Sequence, residues 1–195
     1  RLDDYVYKFL DPSVHQSELY WLDKQHLLDK YNVEHDIKLE VPFIQLTSHY
    51  LRMKYVGEPI FFSPQEITKL YDAISSFTSF YMDSNSYTFS LGDAQLRNIY
   101  KSPHGFFCLD LSIKFGEKVS IYYDRSRYLV HLIDSNYANI AYKLLKADDD
   151  MEQLLPYIIQ RANYTFIKRL KSLSVFSAFY RLILFYIYAL SIKIK

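Results

Sequence analysis

The segment that most constrains the fold is Ser63-Pro64-Gln65-Glu66, followed by Ile67, Leu70, Tyr71, Ile74, Phe77 and Tyr81. Ser63 suits an N-cap, where its hydroxyl accepts from an otherwise unpartnered first-turn N–H. Pro64 suits the first helical position, because its missing N–H would have no partner there, and Glu66 closes a capping box. The apolar positions recur at three and four residues, which predicts one amphipathic helix to about residue 81. Such a helix must bury one face, and its neighbours in sequence supply strands to bury it against. Leu39–Leu46 and Tyr50–Val56 read as two short strands, with Pro42 suggesting that the first lies at an edge. Asp83–Ser86 is turn chemistry, and a strand follows near Tyr87–Leu91.

On either side of this centre the pattern is less sharp. Ser13 with Gln16 is a capping-box pair, and Leu19, Leu22 and His26 follow at helical spacing, so residues 13–31 read as a helix. From Phe106 to Ile133 the period shifts to two. Phe107, Leu109, Leu111, Ile113 and Phe115 share a face; Val119, Ile121 and Tyr123 follow Gly116-Glu117; Tyr128, Val130 and Leu132 follow Asp124-Arg125-Ser126. This predicts a three-stranded antiparallel meander. Ser135 is placed to cap a helix with Tyr137, Ile140, Ala141 and Leu144, and helices near 151–170 and 173–192 complete the chain. The expected class is α+β: an antiparallel meander with helices before and after it, and a helical C-terminal third. Residues 1–195 are expected to form a single domain, the possible subdivision being an α+β part (1–147) and a helical part (148–195) that meet at Asp148-Asp149-Asp150.

Composition narrows the functional classes. Four glycines and six prolines leave little material for glycine-rich phosphate loops or many-turned β architectures. Cys108 is the single cysteine, which rules out an intrachain disulfide and a multi-cysteine zinc site and favours a reducing, cytoplasmic setting. Arg1-Leu2-Asp3-Asp4 opens acidic, without the apolar run of a secretory signal. Net charge is +1, but residues 151–195 hold seven Lys/Arg against one acid, while residues 1–60 hold seven against ten. An acidic front and a basic back suit self-association or an acidic partner as well as mutual satisfaction within one fold. The richness in Tyr, Phe, Ile and Lys also suggests an AT-rich coding sequence, as in a virus, a mobile or virulence-associated locus, or an AT-rich parasite.

Candidate chemistry is sparse. The six histidines form no H-x-x-x-H pair. Glu34-His35-Asp36 clusters three potential ligands, but adjacent residues on an extended chain point apart, so a solvated cluster is the simpler reading and no metal or cofactor is expected. Cys108, Asp110 and Ser112 share the polar side of the expected meander, where His104 and His131 can approach. Cys108, Asp110 and His131 are therefore the catalytic candidates for a cryptic hydrolase or nuclease, set against Cys108 as a small packing residue. Asp36-Ile37-Lys38 matches the acid-x-Lys tripeptide of metal-dependent nucleases, a match common by chance. Arg161, Lys168, Arg169 and Lys171 lie among Tyr164 and Phe166, but helical spacing puts those cations mostly on a solvated face, and the near-neutral chain argues against nucleic acid as a partner.

The most unusual stretch is 172–192. It is close to the roughly 20 apolar residues that span a bilayer, with basic flanks. Arg181 near its centre costs roughly 2.5–3.5 kcal/mol on an insertion scale. A central helix, or one completed by a partner, is therefore preferred over a membrane anchor. On that reading Leu173, Phe176, Tyr180, Leu184, Ile187 and Ser191 form one buried stripe.

Twenty tyrosines and no catalytic constellation point to recognition of another protein, since tyrosine offers large contact area at low entropic cost. Tyr180, Arg181, Tyr186 and Tyr188 are the partner-binding candidates. The strand–strand–capped helix–meander–helix order of residues 38–146 resembles small bacterial immunity proteins that cap a toxin. It rests on element order and covers about half the chain. Phe9-Leu10-Asp11-Pro12 is similar to a stretch in cytosolic accessory proteins of type III secretion, which are mainly helical. The expected function is a non-enzymatic protein-binding module of accessory, virulence-associated or immunity type, acting on another protein or on itself. A peripheral or tail-anchored membrane protein using 172–192, and the cryptic hydrolase or nuclease, are the alternatives.

Overall fold

The computed structural model describes residues 4–9, 25–47, 50–56, 62–93, 95–108, 116–135 and 137–170, together with positions 180, 183, 186 and 187. The elements in chain order are β1 (Tyr5–Phe9), α1 (Gln25–Glu34), β2 (Lys38–Glu40), β3 (Phe43–Leu46), β4 (Tyr50–Lys54), α2 (Pro64–Phe80), β5 (Tyr87–Phe89), β6 (Ile99–Ser102), β7 (Gly105–Cys108), β8 (Lys118–Ser120), α3 (Tyr122–Asp134), α4 (Ala138–Ala147) and α5 (Met151–Leu170). The class is α+β with helices at the C-terminal end.

The central helix starts where its sequence demands. The Ser63 amide donates to Glu66 Oε2 at 2.7 Å, and the Glu66 amide donates to Ser63 Oγ at 3.3 Å, so two first-turn donors are satisfied reciprocally. Ile67, Leu70, Ile74 and Phe77 on its apolar face are completely buried, each worth about 1.5–3 kcal/mol of hydrophobic stabilisation. Several tyrosines belong to this core. Tyr31 and Tyr128 are buried, and each hydroxyl donates to a backbone carbonyl of α2, at Ala73 (3.4 Å) and Ile67 (3.2 Å). Tyr31, Phe77, Phe80 and Tyr81 contact one another edge-on or tilted, at centroid spacings of 4.7–6.0 Å. The phenol tips are satisfied inside, so this aromatic cluster is structural.

The strands form three small sheets rather than one. β1 and β3 flank β4, both antiparallel; β7 pairs parallel with β2 and antiparallel with β6; β5 pairs antiparallel with β8. Gly105 is required where β2 meets β7, because a Cβ there would lie 2.1 Å from the Lys38 carbonyl oxygen. The expected strand Leu39–Leu46 is two strands in different sheets. Pro42 explains the break: it has no N–H for a ladder, while its carbonyl accepts from Lys54 N at 2.7 Å.

The expected meander over 106–133 is corrected in the same way. β7 pairs back to β6 across Pro103-His104, β8 pairs with β5, and residues 122–134 are helix, not strand. Tyr128, Leu129, Val130 and Leu132 are all buried. A short run that is apolar on both parities fits a buried helix as well as a strand, and only neighbours decide between them. Here α2, α4 and α5 pack against α3. Ser135 ends α3, its amide donating to the His131 and Leu132 carbonyls, and Tyr137 rather than Ser135 begins α4. Residues 13–24 and 109–115 and nearly all of 171–195 lie outside the described residues, and with them Ser13, Leu19, Leu22, Asp110 and most of the expected last helix.

Asp148-Asp149-Asp150 separates α4 from α5 as expected, and it is firmly tied. Arg125 donates from Nη1 to Asp148 at 3.1–3.2 Å and from Nη2 to Asp150 Oδ2 at 2.8 Å. The Tyr71 hydroxyl of α2 also donates to Asp148. Burial and this carboxylate drive the Tyr71 pKa upward, so the phenol stays a donor and α2, α3 and the α4–α5 turn are held together.

Candidate functional site

Two features stand out from this frame: a cationic pocket between α3 and α5, and an apolar surface beyond the end of α5. Along α3, Arg127, Val130, His131 and Asp134 line the pocket, and along α5 so do Arg161, Tyr164, Thr165 and Lys168. Both sets follow the spacing i, i+3, i+4, i+7, which places each on one helix face. Gln95 and Arg97, from the segment around the 3₁₀ turn Leu96–Asn98, close one side of a cavity of about 360 Å³.

Arg127 is fixed in place. It donates to the Gly92 carbonyl at 2.8 Å, forms an ion pair with Asp93 and reaches the Tyr123 hydroxyl at 3.5 Å. Asp93 in turn accepts from Gln95 Nε2 at 2.6 Å and from Asn98 Nδ2 at 3.1 Å. Behind this loop lies Asp124, buried on α3, which accepts from Ser90 Oγ at 3.0 Å and from the Leu91 amide at 2.7 Å. Burial outweighs those bonds and Arg127, and lifts its pKa to about 6. Arg161 differs from Arg127: its guanidinium lies 5.0 Å from the Tyr164 ring centroid. Among the described residues no carboxylate pairs with Arg161, Arg97 or Lys168. Burial and then the charge of Arg127 lower the Arg161 pKa. Burial also lowers that of His131; Arg97 and Arg127 add to the effect, and Asp134 and Asp93 oppose it. A neutral imidazole is therefore the resident form at neutral pH.

Of the sequence-predicted catalytic candidates, Cys108 sits in the core at the end of β7, 2% exposed, where burial pushes the thiol up to about 12. A thiol held that far above neutral pH stays protonated and is a poor nucleophile. His131 is on α3, its Nε2 3.2 Å from Ser135 Oγ, and lines the cationic pocket. Asp110 lies outside the described residues. Of the Glu34–Asp36 cluster, His35 is used structurally, stacking on Tyr31 at 4.0 Å with Nδ1 3.0 Å from the Tyr31 carbonyl, while Glu34 and Asp36 are exposed. Lys38 caps the end of α1 on the Asn32 and His35 carbonyls. Among the described residues no group of three His, Cys, Asp or Glu is placed to hold a metal ion.

Of the partner-binding candidates, Tyr180 and Tyr186 are helical and exposed, and Arg181 and Tyr188 lie outside the described residues. Tyr180 and Ile187, read from sequence as part of a buried stripe, are instead 64% and 57% exposed. Among the described residues no helix is long and apolar enough to cross a membrane, and nearly all of 172–192 falls outside them. Sequence reasoning misses the pocket because it treats Arg161 and Lys168 as solvated and does not pair them with Arg127. The matching i, i+3, i+4, i+7 spacing on 127–134 and 161–168 is the signal that could have found it.

Fold and site together describe an α+β protein with a cationic pocket between α3 and α5 and an exposed aromatic–aliphatic surface. Comparison with known proteins finds no family model, no curated protein and no solved structure that matches the chain.

Proposed function

We propose that this is a non-enzymatic protein-binding module that docks an acidic partner protein through α5 and the helical residues beyond it. The observation that carries this reading is where exposed apolar side chains fall. Tyr164, Ile167, Tyr180, Ile183, Tyr186 and Ile187 are all exposed, whereas Val6, Val33, Met82 and Tyr87 are scattered over the rest of the described surface. The Tyr186 hydroxyl donates to Asn163 Oδ1 at 3.3 Å, which brings the two stretches side by side, and concentrated exposed apolar surface marks an interaction site. Tyrosine and isoleucine there provide anchors, and the surplus of Lys/Arg over acids in residues 151–195 favours an acidic counterpart. The same surplus opposes isologous pairing of two copies through this end, since like charges would meet. A cytoplasmic setting accords with a lone cysteine kept as a buried free thiol. An accessory role of the virulence or immunity kind is one use of such a module, although the helix at 122–134 removes the meander behind the likeness to immunity proteins.

Site-specific photocrosslinking in the cells that make the protein tests this, with a benzoylphenylalanine at Tyr180, Ile183 or Ile187 and at Met82 as control. The expected result is one discrete adduct with an acidic protein from the three patch positions, none from Met82, and its loss with Ile183→Asp and Ile187→Asp. Crosslinks only between copies of the chain would replace this reading with self-association. No patch adduct, together with flotation on anionic vesicles that depends on residues 172–195, would replace it with membrane contact.

A further inference from the structure

Arg161 and Lys168 contribute to the positive charge of residues 151–195, but a docking surface does not explain why they converge with Arg97 and Arg127 on a cavity between α3 and α5. We propose that this pocket is a binding site for a small phosphate-bearing ligand, the phosphate held by Arg127, Arg161 and Lys168. Four cations converge on the cavity, at Arg97, Arg127, Arg161 and Lys168, and Asp134 is the one acidic side chain among the described residues of the lining. Even with Asp93 counted as the partner of Arg127, two positive charges have no acidic counterpart among the described residues of the lining. Folding would not gather unpaired cations around a partly desolvated cavity for stability alone, because each raises the electrostatic cost of the others. Burial is the first cause of the lowered Arg161 pKa, and the charge of Arg127 adds to it.

The charge surplus selects the ligand class. A phosphate monoester carries about −1.5 to −2 at pH 7 and three strong acceptor oxygens, which matches two uncompensated cations. A single carboxylate would leave one of them unmatched. Guanidinium groups bind phosphate oxygens in pairs, and two arginines on facing helices approach from two sides, with Lys168 one turn beyond Thr165 on α5. The cavity of about 360 Å³ lies in the usual range for small-ligand pockets, so it holds more than the phosphate. The remaining lining suits a polar or planar ligand body: Tyr164 offers a ring face, and Gln95, His131 and Thr165 offer hydrogen-bonding groups.

The site is also preorganised. Asp124 anchors Ser90 and Leu91, Ser90 Oγ accepts from Gly92 N at 2.9 Å, and Gly92 and Asp93 then hold Arg127. Ordering Arg127 before the ligand arrives removes part of the entropic cost of binding.

Titration calorimetry on the full chain, at constant ionic strength, tests the assignment with inorganic phosphate, pyrophosphate, and phosphatidylcholine vesicles doped with phosphatidic acid. The expected result is one saturable site, weakened about tenfold or more by Arg161→Gln with Lys168→Gln and unchanged by Lys69→Gln on exposed α2 surface. Arg97→Gln, at an exposed position, is the second variant should the first pair disturb folding, and it is expected to weaken binding in the same direction. Binding of pyrophosphate without vesicles identifies a soluble ligand, and binding of vesicles without pyrophosphate identifies a lipid headgroup. The proposal is overturned if no probe binds saturably up to about 10 mM, or if the Arg161/Lys168 variant binds as the natural chain does. Either failure leaves the docking surface untouched, because the photocrosslinks there do not depend on phosphate.

Discussion

Arg125 and Arg127 are two residues apart on α3, and their surroundings are opposites. Arg125 points toward α2 and the α4–α5 turn, where Asp148 and Asp150 take its charge and Tyr71 completes the network. Arg127 points toward α5; Asp93 covers it, while among the described residues no carboxylate pairs with Arg161 or Lys168. One face of the helix is neutralised to hold the fold together. The other is left positive, and that is the difference between a structural ion pair and a site open to a counter-ion. A buried cation with two carboxylates stabilises only as a complete set, since removing one member strands the rest. A cation at the mouth of a pocket can be removed at little cost to the fold.

The sharpest way to break the comparison is to remove the cation from each face. Arg125→Met strands Asp148, whose side chain is 5% exposed, and is expected to cost about 3–5 kcal/mol in chemical denaturation. A loss below about 1 kcal/mol would mean that the network does not hold α2, α3 and the α4–α5 turn together.

The next effect in size concerns Asp124, which supports the pocket side. Its folded-state pKa of about 6 lies above its ordinary 3.8, so folding takes up a proton between those values. Stability from this group is greatest below about 3.8 and is lost as pH rises through about 6, a change on the order of 3 kcal/mol. Asp124→Asn is expected to remove that slope from the difference curve against the natural chain, measured by thermal unfolding between pH 4 and 7. An unchanged slope would mean that the carboxylate is not held at the expected depth.

Smaller again is Asp93→Asn, which keeps the shape but releases the charge from Arg127. Its expected cost is roughly 1 kcal/mol, with phosphate affinity altered because Arg127 gains freedom. Least of all, Arg161→Gln with Lys168→Gln is expected to leave stability within about 0.5 kcal/mol of the natural chain, or slightly raise it, because it relieves repulsion. A loss comparable to that of Arg125→Met would place the pocket cations in the fold's own support and remove the contrast.

Legibility from sequence follows the range of the interaction. The capping box at Ser63–Glu66, the helix to Phe80, the turn at Asp83–Ser86 and the helix 151–170 are each set by residues within a few positions of one another, and all are readable. The turn carries its own bonds, Asp83 Oδ1 accepting from the Asn85 and Tyr87 amides at 3.0 Å. Residues 122–134 mislead because alternating and helical periods coincide in Tyr-Leu-Val-His-Leu-Ile. The burial of a helix there depends on α2, α4 and α5, which pack on it from outside that stretch.

Sequence alone therefore determined the α+β class, the central helix and its apolar face, and the excess of positive charge in the last part of the chain. Those properties come from hydrogen bonds and apolar spacing that close within one or two turns, or from composition itself. Only the tertiary structure decided which tyrosines became core and which stayed exposed, and it alone set Arg125 against carboxylates and Arg127 beside Arg161. Partners 23 to 34 positions apart meet only when helices pack, and no local rule fixes the face on which they meet.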